Sequence, residues 1–314
     1  MRRVIFYGML LLILVGGKPV NNTSYKIALR FTPIFKMISA HGNVMVIVSK
    51  QMKIHIIALP SGHELRILDA HRTVNGAFSP NGKWLATATR DSNMVVYSTT
   101  DSTTKKWKLK DYPWTMSFPL ENTLLVNHTL WDVNKARLIT TLKTDFGEVN
   151  AIALNADGTQ AATGGGDTRV RLYDLGSGDQ SSREWKFTNQ YNGLKLEVLG
   201  LAFTPDGSEI AVGGLDGHIT LLDAATGKVM KSIQTGMTGI SSIEPVGKSH
   251  WMLVRYINAR TDKQKGYRLV NISTGKSRPF CDTNTIVRIS GGKIWSYSFK
   301  DDTMTATPKA VPQE

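Results

Sequence analysis

Cysteine occurs once in the 314 residues, at Cys281, which excludes an intrachain disulfide framework and any multi-cysteine metal site. A lone cysteine nucleophile needs a histidine partner in space, so a structural thiol is the simpler reading of Cys281. The seven histidines (His41, His55, His63, His71, His128, His218 and His250) include no H-x-x-x-H pair, so the spacing of a helical zinc site is missing. No G-x-S-x-G elbow is present. Asp301 and Asp302 are adjacent, which turns them to opposite sides of an extended segment. Acidic residues are the minority, 25 against 38 Lys and Arg, for a net charge of +13 and a pI near 9.7. That surplus favours acidic partners: anionic lipid or polysaccharide, nucleic acid, or an acidic protein face. The basic residues are spread along the chain, without the dense run of a nucleic-acid-binding tail.

One stretch is continuously apolar, from Val4 to Val15, behind Arg2 and Arg3 and ahead of Gly16 and Gly17. It is well short of the roughly 20 residues that a transmembrane helix requires. A charged start, a short apolar run and small residues at Val15 and Gly17 read as a signal peptide over residues 1–17. The mature chain is then 18–314, with no membrane span and a net charge lowered by two arginines. No cysteine follows the run, which excludes lipoprotein-style anchoring. The expected location is secreted or periplasmic, with an uncleaved N-terminal membrane anchor as the alternative.

What the chain does contain is a repeat. VNGAFSPNGKWLATATRDSNMVVY (Val74 to Tyr97) returns as VNAIALNADGTQAATGGGDTRVRLYD from Val149 and as VLGLAFTPDGSEIAVGGLDGHITLLD from Val198. Each copy holds three period-2 apolar alternations separated by tight turns, the pattern of three antiparallel strands. The residues closing the third strand are Ile57, Tyr97, Trp131, Tyr173, Leu222 and Val270, recurring about every 43 positions. Strand-rich repeats of that length are propeller blades, each needing its neighbours to cover its sheet faces. The expected fold is therefore all-β, a single β-propeller of four-stranded blades over 31–69, 70–109, 110–143, 144–190, 191–235 and 236–280. Residues 281–314 are too few for a whole blade, although TIVRISG and KIWSYSF suit its inner strands. Tyr25 to Arg30 is the candidate for the missing outer strand, closing the ring beside the C-terminal strands and removing both sheet edges. Seven blades is the economical count; six and eight are the alternatives.

With FSPNGKWLATATRDSNMVVY, DTRVRLYD, FTPDGSEIAVGG and the literal Trp131-Asp132 pair, the chain resembles the WD-repeat β-propeller family. The second, fourth and fifth copies match well, and the rest match by spacing and alternation. The resemblance implies a brace within a blade, in which a His of the loop before the first strand pairs with the Asp of the second turn. Here that would be His71 with Asp91, supported by Thr87 or Thr89, while Tyr97 stands in place of the family's Trp. The resemblance gives this pair a structural role rather than a catalytic one. The fourth and fifth copies keep Asp167 and Asp216 without that His.

Other recurrences have structural explanations. DAATGK (Asp223 to Lys228) and NISTGK (Asn271 to Lys276) resemble turns of quinone-dependent propellers but lack the Trp that follows there; turn chemistry accounts for both. Gly164 to Gly166 run into another strand rather than into the helix that a phosphate cradle needs. Sequons stand at Asn21, Asn22, Asn127 and Asn271. No catalytic, cofactor or metal residues are assigned. The expected function is a non-enzymatic, extracytoplasmic protein-interaction scaffold, with a secreted propeller enzyme (hydrolase or quinoprotein-like) or a binder of an anionic polymer as alternatives. Its interaction rim comprises Arg72, Arg90, Asn93, Glu148, Arg169, Glu197 and His218, on loops that emerge on one side of the disc. The expected partner is a protein with an acidic surface, since arginine binds carboxylates through a planar fork.

Overall fold

The computed structural model describes residues 24–29, 33–39, 42–70, 73–113, 115–142, 149–156, 159–174, 182–186, 197–257, 266–282, 285–290, 293–300 and 303–310. The strand β1 (Tyr25–Ala28) comes first. Blade I then holds β2 (Pro33–Ile38), β3 (Val44–Ser49), β4 (Lys53–Ala58) and β5 (Glu64–Asp69). Blade II holds β6 (Thr73–Phe78), β7 (Trp84–Thr89), β8 (Asn93–Ser98) and β9 (Thr104–Lys108). Blade III holds β10 (Met116–Leu120), β11 (Thr123–Val126), β12 (Thr129–Asp132) and β13 (Arg137–Thr141). Blade IV holds β14 (Val149–Leu154), β15 (Gln160–Gly165), β16 (Arg169–Asp174) and β17 (Ser182–Lys186). Blade V holds β18 (Val198–Phe203), β19 (Glu209–Gly214), β20 (His218–Asp223) and β21 (Val229–Gln234). Blade VI holds β22 (Ile240–Pro245), β23 (Trp251–Tyr256), β24 (Gly266–Asn271) and β25 (Ser277–Asp282). Blade VII holds β26 (Thr285–Ser290), β27 (Lys293–Lys300) and β28 (Thr303–Lys309), and its fourth strand is β1.

The seven sheets are all four-stranded and antiparallel, as the alternation predicts. The N-terminal strand takes the expected place: β1 pairs with β28 from Tyr25↔Ala306 to Ala28↔Thr303. Arg288 on β26 fastens the same junction from inside, its Nε donating to the Ile38 carbonyl of blade I at 2.8 Å. The core lies between blades, where facing side chains of neighbouring sheets mesh. Val198, Leu201 and Phe203 pack with Ala162, Val170 and Leu172 of blade IV, and Ile240 and Ile243 pack with Ile219 and Leu221 of blade V. Gly164 is glycine because of this packing: a β-carbon there would lie 2.3 Å from Val198 Cγ1. Gly213 stands in the same relation to Ile240, at 2.6 Å.

Two recurrent features escape the linear pattern. The innermost strand of blades I, II, IV, V and VI carries a β-bulge immediately after its first residue, as at Val149/Ala151 and Val198/Gly200; a bulge bends and twists a strand. The second is a cationic staple from an outer strand to the turn between the third and fourth strands of the next blade. Arg66 Nη1 donates to the Ser98 and Asp101 carbonyls at 2.9 and 3.0 Å. Lys105 Nζ donates to those of Val133 and Asn134, and Lys231 Nζ to those of Ile272 and Ser273. These junctions are I to II, II to III and V to VI. Part of the basic surplus is thus committed to joining blades.

The topology defines two rims. The upper rim carries the loops entering each first strand and the turns between second and third strands. The lower rim carries the turns between first and second and between third and fourth strands.

Candidate interaction rim

On the upper rim, the turn between the second and third strands repeats one geometry in four blades. An amide donates back three residues, from Met52 to Ser49, Ser92 to Thr89, Thr168 to Gly165 and Gly217 to Gly214. The donors have positive φ, at 56°, 59°, 64° and 72°, which costs little at Gly217 and more at the other three. Local hydrogen bonds hold the turns in place. Asp167 Oδ1 accepts the Arg169 amide and Asp216 Oδ1 the His218 amide, both at 3.2 Å, while Thr89 Oγ1 accepts the Asn93 amide.

The second carboxylate oxygens of the two aspartates turn inward. Asp167 Oδ2 lies 2.6 Å from Nη1 of Arg171, whose side chain is 4% exposed, and Asp216 Oδ2 lies 3.1 Å from His218 Nδ1. In blades IV and V the side chain that faces the turn aspartate therefore comes from the third strand of the same blade. Arg171 was missed in the sequence; its signal is a second arginine among the apolar residues of DTRVRLYD, four places after Asp167. Of the brace expected in blade II, His71 lies outside the described residues. Asp91 is exposed on the rim, and its carbonyl accepts Lys108 Nζ at 2.8 Å. Thr87 Oγ1 reaches the Val95 carbonyl at 3.4 Å, and burial pushes the Tyr97 hydroxyl up despite a hydrogen bond with Thr87.

Arg90 and Asn93 stand exposed on the blade II turn, and Arg169 is half-buried on the blade IV turn. Blade III separates them, with the Asn127–His128 turn between. Glu197 is exposed, and its carboxylate lies near Gly166 of the blade IV turn; His218 is half-buried on the blade V turn. The structure thus gathers Arg169, Glu197 and His218 on adjoining blades and sets Arg90 and Asn93 apart from them. Arg72 and Glu148 lie outside the described residues.

Two of the sequons are occupied by structure. Asn127 donates from Nδ2 to the Tyr112 carbonyl at 2.8 Å and accepts the Thr115 amide at Oδ1. Asn271 is 3% exposed and accepts the Thr274 amide. Asn21 and Asn22 lie outside the described residues. Among the described residues, no three His, Cys, Asp or Glu side chains are placed to hold a metal ion, and no helix is long and apolar enough to cross a membrane. Inside blade VI, burial pushes the Glu244 carboxyl up to about 7 against the opposing pull of Arg288 and Arg255.

A family model described as "WD domain, G-beta repeat" matches residues 62–98 and 136–174. A second, "Anaphase-promoting complex subunit 4 WD40 domain", matches residues 180–251. The matched 62–98 segment runs from the outer strand of blade I through the third strand of blade II, so the sequence repeat is offset from the blade by one strand. No curated protein gives a significant match. Among solved structures, a chain of "Crystal Structure of Mitotic Checkpoint Complex" is similar at TM-score 0.66 and 17% identity, over 95% of this chain and 99% of that one. "Crystal structure of RRP9 WD40 repeats" follows at TM-score 0.64 and 13% identity, covering 90% of this chain and 97% of that one. "Structure of U3-55K" gives 0.63 and 13%, covering 91% and 98%. Seven four-stranded blades, together with WD-repeat models that match residues 62–98, 136–174 and 180–251, support placing the chain with the WD-repeat β-propellers.

Proposed function

We propose that this propeller is a non-enzymatic interaction scaffold whose upper rim recognises an acidic protein surface outside the cytoplasm. The observation that carries the reading is the bracing of the rim: Arg171 fixes Asp167 beneath the turn that displays Arg169, and Asp216 and His218 hold the neighbouring blade V turn together. Side chains presented on pre-ordered turns lose little conformational entropy on association, so more of the contact energy remains for affinity. Arg90 and Arg169 supply planar forks that suit carboxylates. The WD-repeat fold fits protein binding in general. The extracytoplasmic placement rests on Arg2, Arg3 and the Val4–Val15 run.

Affinity purification from the native cell, comparing the wild type with a triple Arg72→Glu, Arg90→Glu, Arg169→Glu variant, tests the rim. Specific partners retained by the wild type are expected to be lost from the variant. Identical partner sets would remove these arginines from the binding surface. N-terminal sequencing of the mature protein tests the leader, with Lys18 expected as the first residue.

A further inference from the structure

The lower rim is unevenly charged. Described carboxylates stand there on blades I to V: Glu64, Asp101, Glu121 and Asp132, Asp174, and Asp206, Glu209 and Asp223. On the lower ends of blades VI and VII, Glu244 is the acidic residue among those described, and it is buried inside the ring. The same two blades place Lys248, His250, Lys276, Arg278, Lys293 and Lys309 there. Lys248, Lys276 and Arg278 are exposed. Arg278 lies over the Trp251 ring at 5.6 Å, and Lys309 lies over Phe280 at 4.6 Å. Aromatic faces hold these two cations without neutralising them.

The chain itself enters the ring at this corner. β1 is the outer strand of blade VII and begins at its lower end, opposite Ala306. In sequence, the apolar run ending at Val15 precedes β1 by nine residues, a stretch that spans at most about 30 Å when extended. In the uncleaved form of the chain, the alternative to cleavage after Gly17, a bilayer engaged through that run meets the lower rim of blades VI and VII; in the cleaved form the basic cluster alone carries the docking. Basic clusters next to a membrane segment are attracted to anionic leaflets.

We propose that the lower face of blades VI and VII is a docking surface for an anionic phospholipid bilayer. Docked this way, the propeller turns its upper rim away from the membrane and leaves it open to a protein partner. The proposal stands independently of what the upper rim binds.

The test uses the full chain with phosphatidylcholine vesicles, with and without phosphatidylglycerol, at low and moderate salt. The wild type is expected to prefer the anionic vesicles, and Lys248→Glu, Lys276→Glu, Arg278→Glu in combination is expected to weaken that preference on the order of a hundredfold. The upper-rim pair Lys50→Glu, Lys110→Glu is expected to leave it unchanged. Lysine acetylation of the wild-type protein, read by mass spectrometry, gives an answer even if the triple variant misfolds. Anionic vesicles are expected to protect Lys248 and Lys276 while Lys50 and Lys110 react as in free protein. Equal binding to neutral and anionic vesicles, equal protection of both rims, or preferential capture by heparin or DNA with vesicles ignored would each overturn the proposal.

Discussion

Glu244 occupies an inner-strand position that Ala153 fills in blade IV and Ala202 in blade V, one residue before the pair that closes the inner hairpin. Arg288, on the innermost strand of blade VII, stands two residues before its closing pair Ser290↔Lys293 and is likewise buried. Arg288 is hydrogen-bonded to the Ile38 and Val287 carbonyls, so its charge is held in place. Glu244 is 7% exposed, and desolvation raises its carboxyl to about 7. The folded state therefore binds this proton more tightly than the unfolded chain, in which a glutamate titrates near 4.3. The resulting stability is fully present below that unfolded value and is lost as pH rises through about 7. Its size is about 3 kcal/mol, at order of magnitude. Thermal melts at pH 5 and pH 8 should show the wild type losing stability at the higher pH, and Glu244→Gln should flatten that difference. The carboxyls of Asp101, Asp206 and Asp223 have the opposite sign. Hydrogen bonds from Thr103, Thr204 and Thr226 respectively hold them low, so what they contribute is lost only as pH falls below about 4.

At the scale of the element, the outer strands act as connectors. Lys105 on β9 crosses to two carbonyls of blade III, whereas Lys106 beside it is exposed and makes no such bond. Lys105→Met should cost about 1 kcal/mol in a urea titration, the net value of partly exposed hydrogen bonds to a cation. It should also speed amide exchange around Val133 and Asn134, and Lys106→Met should do neither. An unchanged midpoint for Lys105→Met would assign the staple no role in stability. These connectors also mark how far the sequence could be read. Strand positions were legible because alternation and turn glycines are local properties of the chain. The outer strand Tyr25–Ala28 was legible because the last blade lacked one. Arg66, Lys105 and Lys231 were not, since a lysine that reaches a neighbouring carbonyl and one that points to water look alike in a row of letters. Arg171 was hidden for the same reason: its partner Asp167 becomes visible only once the turn folds back over the strand.

For the whole molecule, closure rests on four residue pairs between β1 and β28. Ile27 is buried there among Leu29, Ile38, Met45, Trp295 and Met304, joining blade VII to blade I. Ile27→Asp places an unpaired charge in that cluster and should lower the unfolding free energy by about 3 kcal/mol. Hydrogen exchange should then show protection disappearing first in β28, while exposed Lys26→Asp behaves like the wild type. Uniform exchange around the ring would show that β1 is dispensable for closure. The offset between sequence repeat and blade spreads this dependence, because each repeat gives its first strand to one blade and three to the next. The same seam also fixes how the ring responds to force. β1 enters from the lower rim and β28 leaves toward it, so the two ends of the paired strands emerge side by side. A load drawn across them peels the ladder open one hydrogen-bonded pair at a time, without shearing all of them at once. The disc that is stiff toward a partner on its face is, along this one line, a zipper.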